Sequence, residues 1–89
     1  MIELENNKYE LIKDSRNGYD LEALTEKFTD YFADYDYVVG DWAYGKLRLK
    51  GFCKKENKLF KEINELSNLY NDFKKRIDEL WVLLWHFRK

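Results

Sequence analysis

The chain has 89 residues, 45% of them apolar and 37% charged, which makes one globular domain over 1–89, since a second would leave neither part an adequate core. A formal net charge of −1 is unlike a dedicated nucleic-acid module, and the single Cys53 excludes an intramolecular disulfide and suits a reducing compartment. No apolar run approaches the roughly 20 residues of a membrane span, and the acidic, polar start "MIELENNKYE" is unlike a signal peptide, so the expectation is a soluble cytoplasmic protein.

In chain order, "MIELENNKYELIKD" reads as a hairpin. With Asn6-Asn7 as a two-residue turn, Leu4 faces Tyr9, Ile2 faces Leu11, and Glu5 sits opposite Lys8. "SRNGYD" is a loop whose Asp20 caps the next segment. There Leu21, Leu24, Phe28, Tyr31, Phe32 and Tyr35 keep helical spacing, with a charged opposite face of Glu26, Lys27, Asp30 and Asp34 that a solvated helix explains. Tyr19 is placed to staple onto Leu24.

Two strands follow, Tyr37–Trp42 and Lys46–Phe52, joined by a three-residue "AYG" loop in which Gly45 takes the left-handed conformation. Leu47 and Leu49 point into the core, and Arg48 and Lys50 point away. Residues 57–75 form a second helix on the stripe Phe60, Ile63, Leu66, Tyr70 and Phe73. The tail "DELWVLLWHFRK" either extends that helix, through Ile77, Leu80, Trp81, Leu84 and Trp85, or is a buried strand; periodicity leaves both open.

The stretch "YDYVVGDWAYGKLRLKGF", Tyr35 to Phe52, resembles the YutD-like family of small proteins of low-GC Gram-positive bacteria, whose signature is similar to "YDYIVGDWGYGQLRLKGF". The differences fall at Val38, Ala43 and Lys46. A weaker likeness extends over "KYELIKDSRNGYDLEALTEKF". Near the end the family tends to have a cysteine-containing turn like "YCNFGCPYFVL", where this chain has "FKKRIDELWVL". The last apolar residues still align, which points to a final strand, Leu80–His86. The resemblance implies a mixed α+β domain and supplies no reaction.

The candidate sites are few. His86 is the sole histidine, and no Cys-x-x-Cys or comparable ligand spacing exists, so no metal and no cofactor is expected. Cys53 has only Lys54 and Lys55 as evident activators, and Gly18, Gly40, Gly45 and Gly51 are too scattered for a phosphate loop. Asp41 is a possible base or ligand contact. Its structural alternative is to accept backbone hydrogen bonds of the turn or to pair with Lys46. Trp42 and Tyr44 either stack with Arg48 or Lys46 or present their rings to a partner, in which case they dominate its binding.

Charge is segregated: residues 1–36 carry −6, residues 37–62 carry +4 and residues 63–89 carry +1. From Lys46 to Lys61 there are seven bases against Glu56 alone. Arg48 and Lys50 share a strand face, while Lys54, Lys58 and Lys61 share a helix side, a spacing that suits phosphates.

These readings combine into an α+β domain: a mostly antiparallel sheet of N-terminal hairpin, central hairpin and C-terminal strand, with two packed helices. Its expected role is a non-enzymatic binding or adaptor module working through hairpin 37–52, on Asp41, Trp42, Tyr44, Arg48, Lys50, Lys54 and Lys58. A protein is the favoured partner. The alternative is an RNA- or ribosome-associated factor using the basic stretch 46–61.

Overall fold

Tight left-handed turns set the course of the chain in the computed structural model, which describes residues 1–53 and 80–87. Glu5–Asn6, Arg16–Asn17 and Tyr44–Gly45 all have φ between 50° and 74°, the sign pattern of a type I′ turn, whose twist matches that of paired strands. The first of them closes β1 (Ile2–Leu4) onto β2 (Asn7–Ser15). It sits one residue earlier than the expected Asn6-Asn7 turn. Ile2 therefore pairs with Tyr9, Leu4 with Asn7, and Glu3 rather than Glu5 faces Lys8. Asn6 takes the second turn position, where its side chain tolerates αL, and Asn7 Nδ2 donates to the Glu5 carbonyl at 3.0 Å. The slip changes pairing by two residues, so Ile2, Leu4, Tyr9 and Leu11 stay on one face as the pattern requires.

β3 (Tyr37–Ala43), β4 (Lys46–Phe52) and β5 (Trp81–Phe87) complete a five-stranded antiparallel sheet of order β1-β2-β5-β3-β4. The chain's last described strand thus lies at the sheet's centre, between the two hairpins. Its sequence, "WVLLWHF", is almost unbroken in apolar character because both faces of it are buried. Leu84 belongs to one core cluster with Leu4, Tyr9, Leu24, Phe28, Val38 and Leu47. Trp81 and Leu83 belong to another with Val39 and Phe52. A strand covered on both sides cannot show alternation, which is why periodicity left the tail undecided.

The expected α+β domain with two packed helices is corrected by this arrangement. Sheet dominates, and among the described residues the sole α-helix is α1 (Leu21–Lys27), followed by a 3-10 segment at Asp30–Asp34. The second helix expected over 57–75 lies outside the described residues. Asp20 caps α1 as anticipated, accepting from the Ala23 N–H at 3.1 Å. The apolar spacing up to Tyr35 nevertheless does not make one helix, since Phe28 and Thr29 are extended. "FTDYFADYD" is poor in strong helix formers, and the break lets each ring find its own seat. Phe28 meets the edge of Tyr9 with centroids 4.9 Å apart, while Tyr31 stays 64% exposed.

At the end of this segment the Tyr31 and Tyr35 hydroxyls lie 2.8 Å apart. That hydrogen bond, with burial and the neighbouring phenol adding to it, pushes Tyr35 up to about 12. The folded state holds the neutral phenol. Its contribution is therefore intact below the ordinary value of 10.0 and is lost as pH climbs through about 12. In a spectrophotometric titration Tyr35 should ionise late, and Tyr31→Phe should bring it down. A single sharp tyrosinate transition in the wild type would contradict this.

Candidate functional site

The central hairpin is closed by Tyr44–Gly45 alone, with Ala43 and Lys46 still paired. The three-residue loop expected from "AYG" is thus a two-residue turn, and β3 gains Ala43. Gly45, at φ +74°, has open space where a Cβ would be, so its conformation rather than its packing calls for glycine. Tyr44 shares the left-handed geometry at φ 54° and is completely exposed, with a relative exposure of 101%.

The other candidate residues divide by sheet face. Asp41 pairs across the strands with Arg48, not with Lys46. The guanidinium grips its carboxylate at two points: Nε donates to Oδ1 at 3.1 Å and a terminal nitrogen to Oδ2 at 2.8 Å. Asp41 is 3% exposed, while the arginine side chain remains 61% exposed, so the pair is a buried acid held by a half-solvated clamp. Lys50, two residues on, places its ammonium 5.2 Å from the Phe52 ring centroid. Val39, Asp41, Arg48, Leu49 and Lys50 line a cleft of about 270 Å³ on this face.

Trp42 points to the other face and packs against the core cluster beneath α1. Its indole Nε1–H donates to the Gly18 carbonyl at 2.8 Å, joining the hairpin to the loop before α1. Leu47 is buried and Leu49 half-buried, with Lys46, Arg48 and Lys50 exposed, as the alternation required. His86 is buried and stacks on Tyr9 at 4.7 Å, and Cys53 is fully buried. Lys54 and Lys58 lie outside the described residues. Among the described residues no three His, Cys, Asp or Glu side chains cluster as a metal site would need.

Sequence reasoning missed a groove of about 370 Å³ beside the hairpin tip. Ala23, Glu26 and Lys27 of α1 line one side, and Trp42, Lys46 and Leu47 the other. The charged face of α1 gives no hint of it, because a solvated face and a groove wall have the same composition.

Fold and hairpin together define a small antiparallel-sheet domain with an aromatic residue at the tip of its best-built hairpin. Residues 3–78 match the family model described as "YutD-like: Putative antitoxin YutD-like", and the chain belongs to the YutD-like family. The Bacillus subtilis (strain 168) protein named "Putative antitoxin YutD" is 44% identical over 57 residues. Those residues are 64% of this chain and 63% of that protein, so the match spans just under two thirds of the relative's length. The solution NMR structure of protein yutD from B. subtilis superposes with a TM-score of 0.78 at 33% identity, covering 100% of this chain and 83% of that one.

Proposed function

We propose that this chain is a small, non-enzymatic, cytoplasmic binding module whose central hairpin captures a macromolecular partner through Tyr44. The observation that carries this reading is Tyr44 itself. An aromatic ring stands fully exposed in a left-handed turn position that asparagine or glycine would occupy at lower energy. Its hairpin neighbours have structural explanations: Asp41 holds Arg48, Trp42 holds Gly18, and Leu47 fills the core. A local choice that lowers stability and serves no contact among the described residues is what a binding residue looks like. The groove beside the tip offers room for a partner's side chain next to that ring.

The relative's name supports a macromolecular partner. Carried to this chain, "antitoxin" makes that partner a toxin, and the aromatic tip favours a protein over RNA. Of the described bases on the hairpin, Arg48 is already engaged by Asp41, which weakens the RNA alternative.

The test uses tagged protein in cell extract, with and without nuclease. Tyr44→Asn should stabilise the fold by about 1 kcal/mol, because asparagine tolerates αL, and yet abolish capture. Nuclease should leave capture by the wild type intact. Unchanged capture by Tyr44→Asn would remove the hairpin tip as the working surface. Loss on nuclease treatment would transfer the case to RNA.

A further inference from the structure

Asn17 is the one asparagine of the chain followed by glycine. In an Asn-Gly pair the glycine nitrogen meets no side chain as it attacks the asparagine carboxamide. The Gly18 nitrogen loses its proton to base and bonds to Asn17 Cγ, the Cγ–Nδ2 bond breaks, and ammonia leaves. Water then opens the resulting succinimide at either carbonyl, giving aspartate or isoaspartate.

Asn17 is exposed to the water and base this needs, but two features of the fold restrain the attacking nitrogen. The Gly18 N–H donates to the Ser15 carbonyl at 3.1 Å, closing the turn. Gly18 is itself buried, its carbonyl accepting from the Trp42 indole at 2.8 Å, and a Cβ added there would stand 2.8 Å from the Trp81 nitrogen.

We infer that Asn17-Gly18 is a fold-gated deamidation site, silent in the closed turn and reactive when the turn opens, with the Trp42–Gly18 hydrogen bond as the latch. The isoaspartyl product inserts an extra methylene into a two-residue turn that has no room for it. The Gly18 carbonyl then moves off the Trp42 indole, so one covalent event in this loop loosens the central hairpin. Covalent lifetime and hairpin stability are thus tied at a single point.

The experiment incubates the full chain at pH 8, native and in urea, and follows the one-mass-unit gain and isoaspartate content peptide by peptide. In urea, Asn17 should react faster than any other asparagine, and in the native protein at least about tenfold more slowly than in urea, since reaction waits on local opening. Trp42→Phe keeps an aromatic ring and removes the donor. It should raise the native rate by about tenfold if the latch holds the turn by about 1.4 kcal/mol. Equal native and unfolded rates would overturn the gating. An Asn17 no faster than Asn7 in urea would overturn the site. A native rate unmoved by Trp42→Phe would overturn the latch.

Discussion

Replacing Gly51 by alanine should destabilise the domain by about 3 kcal/mol, the upper part of the range for forcing a methyl into a filled core. A Cβ at Gly51 would stand 2.4 Å from Tyr35 Cγ, with Cδ1 and Cδ2 at 2.6 and 2.7 Å. Cγ, the nearest of them, lies on the ring axis, so no rotation about that axis moves it aside. The ring is also held at its far end by the Tyr31 hydroxyl, and by a backbone anchored through the Tyr35 N–H to the Phe32 carbonyl at 3.1 Å. Something larger than one rotamer must shift.

The clash is specific to one pair, so a double-mutant cycle tests it in urea unfolding. Tyr35→Ala alone removes the hydroxyl contact and the whole ring from Cγ outward. Combined with Gly51→Ala it should cost less than the sum of the two by about 1–2 kcal/mol, since the crowded atoms are gone. Strict additivity would show that Gly51 serves something other than room for Tyr35.

Much of this was legible in the residues. The leucine-basic alternation of "KLRLK" does place Leu47 inward and Arg48 and Lys50 outward, and Asp20 does cap α1. Turn chemistry located the turns of both hairpins to within a residue, because few side chains tolerate that backbone, and marked "SRNGYD" only as a loop. Helical spacing misled beyond Phe28, where aromatic residues at the right intervals were seated individually by the sheet and by Gly51. Local spacing cannot see such a contact between distant segments. The Asp41–Arg48 clamp was readable in principle, since the two residues face one another once the turn is two residues long. A three-residue loop shifts that register and hides the pair. The groove beside Tyr44 had no sequence signal at all.

Trp42 is the residue whose structural and binding readings diverge most, and its truncation is the second large effect. Trp42→Ala should cost about 3–5 kcal/mol. It removes a half-buried indole that packs on the cluster of Leu24, Val38 and Leu47, and leaves the Gly18 carbonyl without this donor. The hydrogen bond spans 24 residues of chain, so its loss frees the loop before α1 from the hairpin as well as opening a cavity. A failure of Trp42→Ala to capture a partner would consequently report lost structure. Trp42→Phe separates the two roles. It retains ring burial against the cluster and should cost about 1–2 kcal/mol, mostly the hydrogen bond, while Tyr44 keeps its place at the tip. If Trp42→Phe unfolds at wild-type denaturant concentration, the indole tie contributes nothing. If it folds normally and still loses capture, Trp42 touches the partner directly and the working surface extends from the hairpin tip into the groove beside α1.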